Sequence, residues 1–511
     1  MSGKRKPRVN SILRMMFVGV ALIFQIGWLF LRILALNEYS ELISRITGIF
    51  CLVVVLKLYS KDVNVAMKLP WIMLIMAFPV MGLTMMLLFD VLGDLGKIGK
   101  KLKTVRDGLK PYLQQKNSVL ERMGAQDLSA ANQSRYLWKQ EGWPVYENTV
   151  VKYYPEAAEA FYDMKMDLEK AEKFIFMEYF ILENGAAFGE IREILERKAK
   201  QGVEVRLMYD DIGSVGHTNM AFAKQLNNAG IRCTPFNPAV PVLNLFMNHR
   251  DHRKITVIDG KVGYTGGYNL ANEYFGYTKP YGHWKDTGIR LEGEAVCSLT
   301  AGFLELWSVV NKSKEDNAPY LGVCHSVAAR GYVQPFTDDP LDEERVAENV
   351  YLNLIAHARK ALYFMTPYLI ITDEMGRALR LAAKRGVDVR IITPGVPDKK
   401  TVYAMTRSYY AGLVSQGVRI FEYEPGFCHA KQCICDGEIA SIGTSNLDYR
   451  SLYHHFENDV VLYDCDAVAE MAEDFEKTFP QCREVTEKYA SGRGAVLRMW
   501  QCMLRLFAPL V

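Results

Sequence analysis

The chain has 511 residues, of which 50% are hydrophobic and 23% charged, so it is neither a disordered tail nor a collagen-like fibre. This length exceeds one ordinary hydrophobic core and predicts two to four domains. Lysine and arginine number 61 against 58 acidic residues, and the net charge of +3 gives no global sign of nucleic-acid binding.

Three apolar segments lie in the N-terminal region. The residues from Leu69 to Phe89 carry no charge and are long enough for one helix through a hydrocarbon core of about 30 Å. The uncharged run from Met15 to Leu31 predicts another transmembrane helix, because it is longer than the core of a typical signal peptide. The shorter run from Ile46 to Leu56 predicts a third helix or an interfacial segment. The sequence therefore predicts a multi-pass anchor of two or three helices.

A basic cluster follows this anchor. Seven lysine and arginine residues lie between Lys97 and Lys116, and such a cluster favours the cytoplasmic side of a membrane. The N-terminus is also basic, so both segments lie on that side only if the number of spans is even. The cluster forms either a solvated face or a surface that attracts anionic lipid.

The remainder of the chain contains an internal repeat of strand, helix and strand. In the first copy these elements are predicted at Lys173 to Leu182, at Phe188 to Lys200 and from Gly202 onward. In the second copy they are predicted at Lys360 to Ile371, at Asp373 to Arg385 and from Gly386 onward. Strands that alternate with helices predict an α/β fold, with one parallel or mixed sheet covered by helices in each half.

Each copy also contains His-x-Lys-x4-Asp, followed after six residues by Gly-x-x-Asn. The residues are His252, Lys254, Asp259 and Asn269 in the first copy, and His429, Lys431, Asp436 and Asn446 in the second. One such pattern is weak evidence, but two at matching places in a repeat are strong evidence of a shared site.

These residue types suit a phosphodiester. Residues at i and i+2 of a strand share a face, and the turn after each aspartate brings the asparagine back beside the His-Lys pair. If the halves pack face to face, lysines and amides hold the phosphate oxygens without a metal. One histidine attacks phosphorus, and the other protonates the leaving alkoxide and then deprotonates the incoming alcohol. The symmetric motifs leave the identity of the nucleophile open, and we favour His252.

An attacking imidazole also needs a carboxylate on its other ring nitrogen. Asp286 follows the first motif and Glu457 follows the second, and both are candidates for this orienting role. Asp259 and Asp436 are counted with the catalytic set as members of the motif. Their position at predicted turns nevertheless favours a structural contribution.

These motifs are those of the phospholipase D superfamily, and the chain resembles bacterial cardiolipin synthases from the membrane segments to the C-terminus. The segments that carry the resemblance are Asn248 to Asn269, Trp284 to Gly288, Tyr423 to Lys431 and Gly443 to Ser451. The sequence departs from the family at Cys433 and Cys435, where aliphatic residues are usual, and at His454 and His455, where Leu-Asn is common.

The resemblance implies two phospholipase D-like domains and the condensation of two phosphatidylglycerols to cardiolipin and glycerol through a phosphatidyl-histidine intermediate. It implies catalytic histidines at 252 and 429, orienting carboxylates at 286 and 457, and phosphate contacts from Lys254, Lys431, Asn269 and Asn446. It implies no cofactor. The expected partners are phosphatidylglycerol and anionic membrane lipid, not nucleic acid, and the expected location is the bacterial cytoplasmic membrane.

The expected organisation has five parts. These are a membrane region over 1–92, a basic linker over 93–130, phospholipase D-like domains over 131–330 and 331–490, and a C-terminal amphipathic segment over 491–511. The last segment is expected either in the membrane interface or packed as an ordinary helix.

Other functions use the same residues. A hydrolytic phospholipase D, or a phosphatidyltransferase with another alcohol acceptor, differs only in what attacks the intermediate. A nuclease is disfavoured because no basic-aromatic groove is apparent. A non-catalytic membrane scaffold is disfavoured because no residue of either motif is lost.

Overall fold

The structure is a computed structural model that describes residues 23, 26–27, 38–61, 63–92, 95–219, 221–238, 249–313, 315–322, 325–490 and 495–510. These residues fall into two compact units. One contains the described residues up to 97 together with 249 and 502–510, and the other contains those within 98–238 and 250–501.

Three helices occupy the predicted anchor region, at Glu38–Tyr59, Val65–Ala77 and Pro79–Leu92. The prediction of one unbroken helix from Leu69 to Phe89 is wrong, because the helix breaks at Phe78. A residue before proline is disfavoured in helical geometry, and Phe78 precedes Pro79 with φ −133° and ψ 75°.

The last two of these helices fold back on each other. A Cβ built on Gly82 would lie 2.7 Å from the Cα of Ile75, although seven residues of continuous helix would separate these positions by about 10 Å. Cys51, Leu58, Ile75 and Met86 form the buried cluster between the three helices. Among the described residues, no helix is both long and apolar enough to cross a membrane. The predicted span from Met15 to Leu31 lies almost entirely outside the described residues.

The first half contains a mixed sheet. Its strands and the short strands near them are β1 (Thr149–Tyr154), β2 (Phe174–Tyr179), β3 (Glu204–Asp210), β4 (Arg232–Phe236), β5 (Arg250–Asp251), β6 (Lys254–Ile258), β7 (Val262–Gly266), β8 (His283–Lys285) and β9 (Gly288–Gly293). Within the described residues the sheet order is β1-β9-β7-β6-β2-β3-β4. β2 and β3 are parallel, whereas β6 and β7 form an antiparallel hairpin.

The second half repeats this arrangement. Its strands are β10 (Tyr332–Asp338), β11 (Ala361–Met365), β12 (Leu369–Ile370), β13 (Asp388–Pro394), β14 (Arg419–Tyr423), β15 (Gly426–Cys428), β16 (Gln432–Cys435), β17 (Ile439–Gly443), β18 (Leu447–Asp448), β19 (His455–Tyr463) and β20 (Cys482–Glu484). In the part of the chain that is described, the sheet runs β10-β19-β17-β16-β11-β13-β14-β20. The prediction of an α/β fold with one mixed sheet per half is confirmed.

Helices flank both sheets. Their bounds are Leu95–Leu109, Asn117–Gln126, Leu128–Glu141, Ala157–Glu169, Ala186–Lys200, Phe222–Asn228, Val296–Asn311, Ala318–Leu321, Val346–His357, Asp373–Lys384, Lys400–Val414, Tyr449–Tyr453, Asp466–Thr478, Thr486–Ala490 and Ala495–Leu506. The predicted helices of the repeat correspond to Ala186–Lys200 and Asp373–Lys384. The hydrophobic core beside the first sheet combines apolar side chains of its strands with those of the adjacent helices. Examples are Ile175 and Leu207 in strands and Phe188 in a helix, each with no exposed surface.

One residue of the predicted basic cluster is not available to lipid. The Arg106 guanidinium lies 2.6 Å from Glu305, 2.5 Å from Asp339 and 3.1 Å from Glu141, and these carboxylates raise its pKa well above the usual value in spite of burial. Arg106 therefore holds the part of the Leu95–Leu109 helix over 98–109 within the larger unit, so the cluster is not purely a solvated face.

Candidate active site

Each motif histidine lies just before a strand, where a short strand pair joins the two halves. β5 pairs with β19, and β8 pairs with β15, both in parallel. The backbone N–H of His252 donates to the Phe456 carbonyl at 2.9 Å, and that of His429 donates to the Lys285 carbonyl at 2.7 Å. The backbone of each histidine is thus hydrogen-bonded to the residue that directly precedes the candidate carboxylate of the other half, which is Glu457 for His252 and Asp286 for His429.

The carboxylates consequently pair across the repeat. His252 Nδ1 lies 2.9 Å from Glu457 Oε2, and His429 Nδ1 lies 2.6 Å from Asp286 Oδ2. Both carboxylates are fully buried, and Thr444 Oγ1 donates to Glu457 at 2.5 Å. An Nδ1–H that donates to a carboxylate leaves Nε2 with its lone pair free for chemistry.

Both lysines of the motifs bind the backbone of their own histidine. Lys254 Nζ donates to the His252 carbonyl and Lys431 Nζ donates to the His429 carbonyl, both at 2.5 Å. Lys431 Nζ also lies 2.7 Å from Nδ1 and 3.1 Å from Nε2 of the His429 ring. Burial lowers the pKa of Lys254 to about 7 and that of Lys431 to about 8, although Asp286 and Glu457 act in the opposite direction. A bound phosphate would favour the charged form of both ammonium groups.

The two histidines share one electrostatic environment. Burial lowers the pKa of His252 well below its usual value, and the charges of Lys254, Lys431 and His429 lower it further. Burial and the same two lysines lower the pKa of His429. Lysines from both halves therefore act on each ring, and each ring is paired with a carboxylate of the other half. Burial also raises the pKa of Asp286 to about 7.

The two asparagines have different surroundings. Asn269 Oδ1 accepts from the Ile181 N–H at 3.0 Å, and its Nδ2 donates to the Tyr274 hydroxyl at 2.7 Å. Asn446 is 6% exposed, and its buried Oδ1 has no hydrogen-bond partner within the described residues. Asn269 therefore links the backbone at Ile181 to Tyr274, and the ring of Tyr274 lies 5.4 Å from that of His429.

Asp259 and Asp436, counted with the catalytic set as members of the motif, bind backbone groups at their turns. Asp259 accepts the backbone N–H groups of residues 172, 173 and 174, and Asp436 accepts those of residues 359, 360 and 361, all at 2.7–2.8 Å. Both adopt φ +54°, a turn geometry that aspartate tolerates better than most residues. Their carboxylates thus close the hairpin turns against the start of a neighbouring strand, the structural contribution that their position in the sequence favours.

Asn458 is a site residue that the sequence analysis missed. Its Oδ1 accepts from the Lys254 backbone N–H at 3.0 Å, and its Nδ2 donates to Thr265 Oγ1 at 2.7 Å. It therefore holds the first motif from the second half of the chain. Its position directly after Glu457 was the one signal of this role in the sequence.

Aromatic rings surround both histidines. The ring of His252 lies 5.0 Å from Phe180 and 5.4 Å from His455, and that of His429 lies 5.5 Å from Trp284. Cys428 and Cys433 are fully buried near this region, and burial raises the pKa of Cys428 to about 12. Cys428 is therefore a protonated core thiol.

The fold and these crossed pairs define a two-domain enzyme of the phospholipase D superfamily. The family model described as "Cardiolipin synthase, PLD-like domain" matches residues 164–298 and 351–479, one match in each half. The phosphatidylserine synthase of Haemophilus influenzae has a similar fold, with a TM-score of 0.54 and 15% identity over 70% of this chain and 93% of that structure.

Three relatives extend the comparison. The cardiolipin synthase of Halalkalibacterium halodurans is 31% identical over 522 residues, which cover 99% of this chain and 100% of the relative. Cardiolipin synthase 2 of Bacillus cereus is 39% identical over 346 residues, 67% of each chain. An uncharacterised protein of Streptococcus mutans is 43% identical over 89% of this chain and 99% of its own. The chain belongs to the cardiolipin synthase family and is a phosphatidyltransferase.

Proposed function

We propose that this enzyme transfers a phosphatidyl group between two phosphatidylglycerol molecules, using His252 and His429 as nucleophile and as general acid and base. The observation that carries the proposal is the crossed pairing of each histidine with a buried carboxylate of the other half. Two oriented imidazoles in one pocket can perform a double displacement at phosphorus without a metal.

In the first step, Nε2 of one histidine attacks the phosphorus of phosphatidylglycerol. A P–N bond forms, the P–O bond to glycerol breaks, and the other histidine gives its proton to the leaving oxygen. In the second step, that histidine removes the proton from a hydroxyl of another phosphatidylglycerol, whose oxygen attacks phosphorus. The P–N bond breaks, and cardiolipin and the free histidine result.

The acid needs a proton, although both imidazoles have lowered pKa values in the free enzyme. The phosphodiester supplies the missing charge, because its anion offsets the lysine charges that help to lower these pKa values. Lys254 and Lys431 then hold the non-bridging oxygens as charge develops. Asn269 and Asn446 complete the set of proposed phosphate contacts. We favour His252 as the nucleophile, with Glu457 as its orienting carboxylate.

A lipid substrate requires contact with a membrane, and the helices from Glu38 to Leu92 support such contact. The first of these helices exposes a row of large apolar side chains, each 55–59% exposed, at Ile46, Phe50, Val53 and Leu56. Contact of such a row with water is unfavourable, whereas contact with lipid is not. The Ala495–Leu506 helix also exposes Met499 and Trp500, at 64% and 54%. We therefore place the enzyme at the bacterial cytoplasmic membrane, with the N-terminal region in contact with the bilayer and anionic lipid as its surroundings.

The test is an incubation of the detergent-purified enzyme with phosphatidylglycerol. Cardiolipin with an equal amount of glycerol supports the proposal, phosphatidic acid indicates a hydrolase, and no turnover indicates a scaffold. His252→Ala and His429→Ala should each abolish the exchange, whereas His357→Ala, which changes a histidine in the helix Val346–His357, should not. Mass spectrometry of the quenched reaction then identifies which histidine peptide carries the phosphatidyl group.

A further inference from the structure

The symmetry of the site is broken beside the two histidines. Trp284 lies two residues before Asp286, and His455 lies two residues before Glu457. The ring of Trp284 lies 5.5 Å from that of His429, and the ring of His455 lies 5.4 Å from that of His252. Corresponding places in the two halves are therefore occupied by an indole and by an imidazole.

The imidazole of His455 is buried without a hydrogen-bond partner among the described residues. The residue is 7% exposed, and neither Nδ1 nor Nε2 has a hydrogen-bond partner in the part of the chain that the structure describes. Its Nδ1 lies 3.7 Å from Glu457 Oε1, too far for a hydrogen bond. A buried polar group without a partner is costly, so a ligand that satisfies it is favoured.

His455 shares its surroundings with two other possible ligands. One atom each of His252, His455 and Glu457 lie within 4.8 Å of one another, and all three residues are buried. Two imidazoles and one glutamate form a ligand set that binds zinc with one position open. We propose that these three residues form a site for a divalent transition-metal ion of the zinc type, and that binding of this ion inhibits the enzyme.

The proposed inhibition depends on which atom of His252 coordinates the metal. Zinc would bind the lone pair of His252 Nδ1 after the proton now shared with Glu457 is released to solvent. The carboxylate would become a metal ligand, so it would no longer orient the ring, and the metal would withdraw electron density from Nε2. This consequence rests on the proposed function of His252, whereas the binding of the metal does not.

The chemistry of the site also sets its selectivity and strength. Mg²⁺ and Ca²⁺ prefer oxygen ligands, so they should not compete with zinc for two imidazole nitrogens. The charges of Lys254 and Lys431 act on His252 and oppose any cation. The site is therefore that of a reversible inhibitor and not of a tightly held structural ion. On the other side of the pocket, Trp284 offers no lone pair, and the same trio does not form around His429.

Zinc binding is tested directly with metal-free enzyme, by calorimetry and by competition with a chromogenic chelator. His455→Phe removes the ligand atoms and breaks no hydrogen bond, and His455→Trp installs the residue that the other half contains. Losing one of the three protein ligands should raise the Kd for zinc in both variants by at least the roughly 10- to 100-fold that loss of an outer-shell partner costs. The described residues contain another possible metal group, formed by Asp127, His357 and Glu438. This group is the same in the wild type and in both His455 variants, so a difference in zinc affinity between them reports on the proposed site alone.

Inhibition is tested by measuring cardiolipin formation with and without zinc. The wild-type enzyme should lose activity in zinc and regain it on addition of a chelator, whereas both variants should be active and resistant. Equal inhibition of wild type and variants, or an unchanged zinc stoichiometry and Kd, would overturn the proposal. If metal-free wild type forms no cardiolipin, the proposed function fails, and the binding measurement still decides whether the metal site exists.

Discussion

His252 Nδ1 lies 2.9 Å from a carboxylate oxygen of Glu457, which stands 205 residues further along the chain. The counterpart, His429 with Asp286, spans 143 residues in the opposite direction. Neither half therefore contains a complete histidine–carboxylate pair. The oriented imidazoles exist only when the two halves are packed together.

The crossed pairing makes Glu457 essential to a motif that lies in the other half. We expect Glu457→Gln to lower kcat by about 10³- to 10⁴-fold, because an amide does not hold the imidazole in the same tautomer or stabilise its charged form. Cardiolipin formation from phosphatidylglycerol measures the effect. Glu438→Gln, at an exposed glutamate of the same half, should remain near wild type. A Glu457→Gln enzyme with nearly full activity would contradict the pairing.

The motif aspartates should show the opposite pattern from the histidines. Asp259→Ala removes an acceptor of three backbone N–H groups and places alanine at φ +54°, so we expect a loss of about 3 kcal/mol in stability. The protein that remains folded should keep its kcat. Thermal unfolding and activity per folded molecule separate the two effects, and His252→Ala, which should stay folded but inactive, is the control. A stable, inactive Asp259→Ala enzyme would restore a catalytic role.

The pH range over which kcat/KM is high should be narrow. Asp286, with its pKa raised by burial to about 7, gains its charge above this pH, so activity should rise through it. Lys254 and Lys431, with pKa values lowered by burial to about 7 and about 8, lose their charge as the pH rises. The expected profile is a bell with its maximum between about pH 7 and 8, and its two limbs report the coupled site as a whole.

The alkaline limb can be assigned by substitution. An arginine keeps its charge throughout this range, so Lys254→Arg, at the lysine with the lower pKa, should move the alkaline limb towards the pKa of about 8 of Lys431, whatever its maximal rate. The acid limb should stay in place, which provides the internal control. A profile that is flat from pH 6 to 9 in the wild type would show that these groups do not control the reaction.

The sequence predicted the α/β halves, the two motifs and the chemistry that they favour, because these depend on local patterns repeated in matching order. It did not predict which carboxylate serves which histidine. That choice depends on short strands, such as β5 with β19, that join distant segments and carry almost no local signal. Asn458 was missed for the same reason, since its contacts are with Lys254 and Thr265 of the other half.

The error in the anchor has a different cause. Hydropathy alone predicted one helix from Leu69 to Phe89, but Phe78 precedes Pro79 and adopts a non-helical conformation. Pro79 is the one local signal of this break within a long apolar run. Local backbone sterics overrode the hydropathy of the segment.

The close approach of the helices Val65–Ala77 and Pro79–Leu92 leads to a last prediction, which concerns Gly82. A Cβ at this position would lie 2.7 Å from the Cα and 2.8 Å from the N of Ile75, so Gly82→Ala should force the two helices apart. Cys51 packs in the same cluster and is 5% exposed, so it should become reactive towards a maleimide, with the labelled peptide identified by mass spectrometry. Gly48→Ala is the matched control, because a Cβ there meets nothing within 4 Å. Equal labelling of Cys51 in the two variants would show that the close approach of Gly82 to Ile75 does not hold this cluster together.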